Sequence, residues 1–205
     1  MQIMAEEKWI QKAVKALKAE DPVLSAIIED IGECMLKPSK DYFGALARSI
    51  IYQQLSRHAA TAIYNKFLER NGGSLTPDSV LTIKHEDFKA SGISERKASY
   101  LMDLALKFKN GQIDFSRVEE LSDEEIIEKL ISVKGIGVWS AQMLLIFSMN
   151  RPDILPLGDA GFRRAVKISY GFEQNPSDEE VIRIAEAWRP YRSIASWYMW
   201  QTVNK

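Results

Sequence analysis

Apolar side chains recur at helical spacing through most of this chain, and no segment alternates in the way that a half-buried strand requires. The first segment places Ile10, Ala13, Val14 and Leu17 on one face, which is the spacing of an amphipathic helix. A second apolar stripe follows in residues 23–31. The pattern predicts an all-α fold, a bundle of roughly ten helices if each has the usual length of about 11–12 residues.

Short polar stretches predict where the helices begin and end. Proline at position 22 suits the first turn of a helix. Between Asp41 and about Arg70 the helical pattern is interrupted by polar residues, which predicts two helices with an elbow and Ser56 as the cap of the second. Ser122 with Glu125, and Ser177 with Glu180, fit the capping box.

Composition excludes several classes of site. Cys34 is the only cysteine among 205 residues, so an intrachain disulfide, a cysteine-ligated zinc site and a four-cysteine iron–sulfur cluster are excluded. We find no apolar run of the roughly 18 residues that a membrane span needs and no secretion signal. We therefore expect a soluble protein of the cytoplasm, associated with the nucleoid, or of the nucleus in a eukaryote.

The charge distribution is uneven although the net charge is −1. Residues 117–128 hold one positive and six negative side chains, whereas residues 134–170 hold five positive and two negative ones. A near-neutral total argues mildly against nucleic-acid binding. The uneven distribution is also typical of ordinary solvated helix faces, so charge alone favours that interpretation.

Two helical segments, 124–133 and 138–149, flank the turn Lys134-Gly135-Ile136-Gly137. Glycines allow positive φ and close approach of the backbone, so the amides that begin the second helix can meet a phosphate. Such contact is independent of base sequence, and the Lys134 ammonium would add a favourable charge. Taken alone, however, a G-x-G turn favours a plain helical hairpin whose glycines only close the turn.

Longer stretches carry a more specific signal. Residues 130–141 (LISVKGIGVWSA) closely resemble the helix-hairpin-helix signature of the DNA glycosylase superfamily named for this motif and its Gly/Pro-rich loop with a catalytic aspartate. Residues 50–56 (IIYQQLS) resemble its DNA-wedge segment, residues 155–159 (LPLGD) its catalytic loop, and residues 188–200 the C-terminal helix of 3-methyladenine glycosylases. The joint similarity covers roughly residue 41 to the C-terminus.

This resemblance implies a single glycosylase domain of two helical lobes, about 1–40 with 150–205 and about 41–149, with a DNA cleft between them. It also implies that the protein binds double-stranded DNA with damaged bases through the backbone of the hairpin, at Lys134, Gly135, Gly137 and Val138. Longer bacterial relatives carry an N-terminal sheet domain, for which the opening helices leave no room. We expect a monomer that needs neither a membrane nor a protein partner.

Asp159 follows the rigid loop 151–158 and precedes a predicted helix from Ala160 to about Ser169. An aspartate at this place is commonly just an N-cap, but the resemblance puts it at the family's catalytic position. Glycosidic cleavage builds positive charge on the sugar, which a fixed anion stabilises. The resemblance implies excision of alkylated purines, of the 3-methyladenine and 7-methylguanine type. Purines alkylated at position 3 or 7 are already cationic and leave without an acid to protonate them, so one carboxylate is enough.

Trp139 indicates the type of reaction. Bifunctional members of the superfamily place a lysine at the matched position and form a Schiff base with the sugar. Tryptophan has no amine, so the resemblance implies a monofunctional enzyme of base-excision repair that uses water and releases an abasic site without cutting the strand.

The base must also be turned out of the duplex, at a cost of a few kcal/mol. The resemblance makes Gln53, Gln54 or Leu55 the DNA wedge that fills the gap. The residues themselves do not indicate which one inserts. They are also consistent with a structural alternative, in which the two glutamines cap neighbouring helices and Leu55 is a core residue.

Aromatic residues supply the expected base pocket. Trp139 matches the family's pocket tryptophan and Trp200 its late C-terminal counterpart, and Tyr52 and Tyr198 are further candidates. Stacked indoles attract a cationic ring by roughly 0.5–2 kcal/mol. For Trp188 simple packing remains the preferred interpretation.

No redox cofactor or nucleotide is expected. The family often binds a monovalent cation through hairpin carbonyls, which here match Ile131, Val133 and Ile136. Three alternative functions remain: the same fold directed at uracil, hypoxanthine or an oxidised purine, a non-catalytic DNA-binding relative, and a helical interaction protein that does not bind DNA.

Overall fold

The computed structural model describes the backbone of residues 2–203 and the side chains of residues 8–203, and this part of the chain contains no strand. The helices are α1 (Gln2–Glu20), α2 (Pro22–Ile31), α3 (Tyr42–Tyr52), α4 (Arg57–Arg70), α5 (Pro77–Thr82), α6 (His85–Ala90), α7 (Glu95–Lys109), α8 (Asp123–Ile131), α9 (Val138–Phe147), α10 (Ala160–Ser169), α11 (Asp178–Ala185) and α12 (Arg192–Val203). Short 3-10 helices cover Val118–Glu120 and Glu186–Trp188. The all-α prediction is confirmed.

The described residues form twelve α-helices rather than roughly ten. Part of the difference lies in residues 77–90, where Ile83 and Lys84 are extended and separate two short helices, α5 and α6. The two helices of the hairpin also end slightly earlier than predicted, at Ile131 and Phe147.

Side-chain N-caps are present where the sequence predicted them. The Ser56 hydroxyl accepts a hydrogen bond from the Ala59 amide at the start of α4. Both predicted capping boxes are present, at Ser122 and Ser177, each with its glutamate. A third box, Thr76 with Ser79, was not predicted because serine is not the usual acidic or amide partner.

The chain divides into two compact units, residues 1–38 with 150–205 (unit 1) and residues 39–149 (unit 2). In unit 1, α12 packs against α10, α2 and α1. Its core includes the fully buried side chains of Trp188, Tyr198 and Phe162. The Tyr198 hydroxyl donates to the Gly32 carbonyl at 2.9 Å, so this residue serves the core and does not belong to a base pocket.

One carboxylate joins distant segments of unit 1. Asp21 is buried and caps α2 by accepting from the Val23 and Leu24 amides at 2.9 and 3.0 Å. Its other oxygen accepts from the Tyr170 hydroxyl at 2.5 Å and the Trp188 indole at 2.8 Å. Trp188 is therefore a packing residue, as predicted.

In unit 2, α3 and α7 form the centre. α3 packs against α4, α7 and α9, and α7 also contacts α5 and α6. The fully buried core includes Leu46, Ile50, Phe67 and Leu101. Among the described helices, none has the length and hydropathy that a membrane crossing requires.

Candidate active site

Asp159 stands at the junction of the loop 151–158 and α10, where it is the N-cap. Its Oδ1 accepts a hydrogen bond from the Phe162 amide at 2.6 Å, and its own amide donates to the Pro156 carbonyl at 2.9 Å. The carboxylate is thus held by the first turn of α10 and the main chain of Asp159 by the preceding loop, and the cap function expected for an aspartate here is present.

A second donor reaches the same oxygen. The Trp200 indole Nε1 donates to Asp159 Oδ1 at 2.8 Å, while its ring packs edge-on against Phe162. Only 9% of Trp200 is exposed. The structure therefore shows Trp200 orienting the Asp159 carboxylate, a contact that the prediction of a stacking residue did not include.

The loop before Asp159 is tied down at several points. Asp153 accepts hydrogen bonds from Arg189 at 2.8 Å and from Arg192 Nε at 2.7 Å. The Ile154 amide donates to the Ser193 hydroxyl at 3.0 Å. These contacts anchor the loop to the beginning of α12, the helix that also carries Trp200.

Arg163 holds the end of the loop nearest Asp159. Its guanidinium donates to the Leu157 carbonyl at 3.4 Å and forms close hydrogen bonds to the Pro176 carbonyl and the Asp178 carboxylate. The Arg163 side chain is 25% exposed, whereas that of its partner Asp178 is 61% exposed. The position of Asp159 is therefore supported from α10 as well as from α12.

The hairpin turn between α8 and α9 lies in unit 2. Gly135 has a φ of +79°, and a Cβ there would overlap the Tyr100 ring. Gly137 is the N-cap of α9 and has no side chain with which to cap the first amides. The Lys134 amide already donates to the Asp103 carboxylate at 2.9 Å, so at Lys134 only the side chain fits the expected contact with phosphate.

The residues Gln53, Gln54 and Leu55, which we call the wedge corner, connect α3 to α4. Gln54 has a φ of +56°, which is uncommon for a residue with a Cβ. The Gln53 side-chain amide donates to the Gly135 carbonyl at 2.7 Å, and the side-chain oxygen Oε1 of Gln54 accepts from Arg96 at 3.0 Å. Leu55 is 39% exposed.

A lysine from α7 reaches the backbone of the wedge corner. Lys97 Nζ donates to the carbonyls of Ile51 and Gln53, both at 2.7 Å. Partial burial, reinforced by the neighbouring Arg96 charge, lowers the pKa of Lys97 below its ordinary value.

A cavity of about 970 Å³ opens in unit 2 beside the wedge corner. Four of the predicted site residues line it, namely Tyr52, Gln53, Gln54 and Trp139. Leu55 is not among the lining residues, and Asp159 and Trp200 are found together in unit 1. Trp139 is 46% exposed and Phe147 is 40% exposed, so the cavity presents apolar surface.

Arg48 also lines this cavity. Its guanidinium lies 4.9 Å from the centre of the Tyr52 ring and 5.6 Å from that of Tyr64. Because the Thr61 hydroxyl gives its one proton to the Arg57 carbonyl, the Tyr52 hydroxyl must donate to Thr61 at 2.9 Å. Arg48 in turn donates to Tyr52 at 3.4 Å, and this chain of bonds fixes the Tyr52 ring.

The three carbonyls matched to a cation site, those of Ile131, Val133 and Ile136, lie within the hairpin. Oxygen donors suit a hard cation, and the Val133 carbonyl, which accepts from the Ile136 amide at 3.1 Å, keeps a second lone pair. The donor chemistry therefore fits a monovalent ion. Among described residues, no cluster of His, Cys, Asp and Glu forms an alternative metal site.

Three residues of these sites were not predicted from the sequence, namely Arg48, Lys97 and Arg163. The Lys97 partners are 44 and 46 residues away in sequence, so no local spacing could reveal them. The cation–π contact of Arg48 with Tyr52 spans one helical turn, and i to i+4 spacing was a usable signal for it.

The sequence is similar to those of known DNA repair proteins. Residues 47–190 match the HhH-GPD superfamily of base excision DNA repair proteins. The alkylbase DNA glycosidase-like protein mag2 of Schizosaccharomyces pombe is 31% identical over 204 residues, covering 97% of this chain and 96% of that protein. DNA-3-methyladenine glycosylase 1 of the same yeast is 37% identical over 166 residues, covering 80% of this chain and 73% of that protein.

Solved structures show the same relationship. The crystal structure of DNA-3-methyladenine glycosidase from Bacillus halodurans has a TM-score of 0.86 and 35% identity, covering 94% of this chain and 89% of the other. The S. pombe 3-methyladenine DNA glycosylase Mag1, in complex with abasic DNA, has a TM-score of 0.83 and 33% identity, covering 95% and 97%. Sequence, fold and chain coverage thus agree, and the chain belongs to the HhH-GPD superfamily of base excision DNA repair proteins.

Proposed function

We propose that this protein is a monofunctional DNA glycosylase that hydrolyses the N-glycosidic bond of alkylated purines in double-stranded DNA and leaves an abasic site. The observation that carries the proposal is the fixed carboxylate of Asp159 in a chain of this superfamily. The names of its relatives, which refer to 3-methyladenine and alkylated bases, support the substrate class.

In this proposal Asp159 is the catalytic residue. As the bond to the base lengthens, positive charge develops on the deoxyribose, and an anion already held in place stabilises it without reorganising. The Phe162 amide and the Trp200 indole hold that anion by Oδ1. A 3- or 7-alkylated purine carries its own positive charge, so no second acid is required.

Trp139 supports the monofunctional reaction. An indole cannot form a Schiff base with the sugar, so water is the nucleophile and the strand stays intact. Trp139 lines the unit 2 cavity and is 46% exposed, so its indole is the proposed source of attraction for a cationic base there.

Contact with the DNA backbone is assigned to the hairpin. The amides that begin α9, at Val138 and beyond, and the Lys134 ammonium would bind phosphate without reading sequence. A monovalent cation held by the carbonyls of Ile131, Val133 and Ile136 would add positive charge at this turn. We further propose that the protein acts as a monomer in the compartment that holds the DNA.

The structure favours two of the three candidates for the DNA wedge. The Gln53 side chain is engaged with the hairpin carbonyl of Gly135 at 2.7 Å, which favours a structural role. Gln54 and Leu55 are exposed at the tip, and the surface hydrogen bond between Gln54 and Arg96 can exchange for one with a base. We therefore assign the insertion to Gln54 or Leu55.

A direct assay tests the function. The protein is incubated with a duplex that contains one methylated purine, and the strands are analysed before and after treatment with hot alkali. Strand breaks that appear only after alkali support a monofunctional glycosylase. Breaks before alkali would contradict the monofunctional reaction, and no release of the methylated base would reject the proposed substrate.

Arg48 gives some support to a second candidate function. A guanidinium in the cavity opposes a cationic base, so a neutral lesion such as uracil, hypoxanthine or an oxidised purine would avoid this repulsion. The same assay with duplexes that carry those lesions distinguishes the two, because a glycosylase for neutral bases would release them faster than methylated purines.

A further inference from the structure

The wedge corner is held by a helix that is distant in sequence. The carbonyls in the last turn of a helix have no partner within that helix, and at the end of α3 Lys97 supplies one. Its ammonium donates to the carbonyls of Ile51 and Gln53, both at 2.7 Å. Lys97 therefore acts as the C-terminal cap of α3 from the first turn of α7.

This cap suits its environment. Hydrogen bonds from an ammonium are shorter and stronger than those between neutral groups, and a positive charge is favourable at a helix C-terminus. The cap lies directly before Gln54, whose left-handed backbone conformation (φ +56°) needs support from its surroundings.

The same helix supports the hairpin turn. The Tyr100 ring lies against Gly135, where a Cβ could not fit. Asp103 accepts from the Lys134 amide at 2.9 Å, and Lys107 donates to the Ser132 carbonyl at 2.8 Å. α7 thus supports the wedge corner at its beginning and the hairpin turn further along, while the Gln53–Gly135 bond joins the two directly.

We propose that Lys97 is a positioning residue that sets the wedge corner in a fixed register with the hairpin turn before DNA is bound. This inference rests on the proposed function for its role in catalysis. A corner that is already ordered enters the duplex without losing further conformational freedom at that moment, so Lys97 promotes base turning without contacting the base.

Three variants test the proposal. Lys97→Met keeps the aliphatic chain and removes the ammonium, and Lys97→Arg keeps the charge and the donors. Lys107→Met is the matched control, because it removes the same kind of lysine–carbonyl bond from the same helix but at the hairpin. Thermal unfolding establishes which variants fold, and Lys97→Gln replaces Lys97→Met if the latter does not.

The first measurement needs no DNA. Amide hydrogen exchange of the last turn of α3, residues 49–52, and of Leu55, whose amide donates to the Tyr52 carbonyl at 3.4 Å, is expected to be at least tenfold faster in Lys97→Met than in the native protein. Lys97→Arg should restore most of the protection, and Lys107→Met should leave these amides unchanged. Equal exchange in the native protein and Lys97→Met would overturn the proposal.

The second measurement compares excision of a methylated purine from a paired site and from an unpaired bulge, where little unstacking is required. Lys97→Met should lose at least tenfold in kcat/KM at the paired site and less than threefold in the bulge, with Lys97→Arg near native. Equal losses at both sites would overturn the positioning role. If the native protein releases no methylated base, the proposed function fails, and hydrogen exchange still decides whether Lys97 orders the corner.

Discussion

One carboxylate oxygen of Asp159 accepts two hydrogen bonds. The residue caps α10, and in the proposed function it also supplies the catalytic negative charge. Oδ1 accepts from the Phe162 amide, which starts α10, and from the Trp200 indole. Capping requires only an acceptor, which asparagine also provides. Stabilisation of a cationic sugar requires a negative charge.

Asp159→Asn separates the two demands. Since asparagine is an equally good N-cap, the variant is expected to fold and to bind abasic duplex DNA normally. Its rate of excision should fall by roughly 10²-fold or more, the loss typical of removing one electrostatic catalytic group. Single-turnover kinetics measure this, and near-native turnover would reject the catalytic role of Asp159.

Trp200→Phe examines the orienting bond. The substitution keeps an aromatic ring and removes the indole N–H that donates to Asp159. A hydrogen bond to a charged group contributes about 1.5–3 kcal/mol, so we expect kcat to fall by roughly 10- to 100-fold, with little change in KM. Trp197→Phe is the control on the same helix, because Trp197 packs edge-on against Tyr198 instead. A rise in KM alone would indicate that Trp200 binds the base rather than the carboxylate.

At the level of elements, the two glycines of the hairpin have different tasks. Gly135 combines a φ of +79° with close contact to Tyr100, whereas a Cβ at Gly137 would meet nothing within 4 Å. Gly137 also has an ordinary backbone conformation, with a φ of −105°.

We therefore expect the two alanine variants to differ. Gly135→Ala should lower the free energy of unfolding by roughly 2–4 kcal/mol, from backbone strain and overlap together. Gly137→Ala should change it by less than about 0.5 kcal/mol but weaken duplex binding severalfold if the proposed phosphate contact at the start of α9 is correct, because the added methyl group would then hinder that contact. Denaturant titrations and binding isotherms report the two quantities, and equal destabilisation by both would contradict this division.

Elements were predictable where the signal is local. Pro22, Ser56, and the capping boxes at Ser122 and Ser177 each act within one helical turn, so the local sequence was enough to predict them. The hairpin and the aspartate loop were found through longer motifs. Contacts between distant segments, such as those of Lys97 with α3 or of Trp200 with Asp159, leave no mark on local spacing and required the structure.

For the molecule as a whole, net charge is a poor guide to DNA binding. The chain has a net charge of −1, yet phosphate contact depends on the few groups that face DNA. Segment 134–170, which contains the hairpin lysine and Asp159, has more positive than negative side chains.

We therefore expect duplex affinity to fall with salt. If several phosphates are contacted, the logarithm of the association constant should decrease linearly with the logarithm of salt concentration, with a slope of about −0.9 for each phosphate. Fluorescence anisotropy with an undamaged duplex between low and physiological salt measures this slope. A slope near zero would favour the alternative of a helical interaction protein.

The division of the chain also affects how it is made. Unit 1 combines residues 1–38 with residues 150–205, and Asp21 completes its hydrogen bonds only with Tyr170 and Trp188. During synthesis, at about 5–20 residues per second, all of residues 39–149 are made before those partners exist. Until then the faces of α1 and α2 that pack against α12 have no partner, so the core of unit 1 closes only after the C-terminal segment has been made.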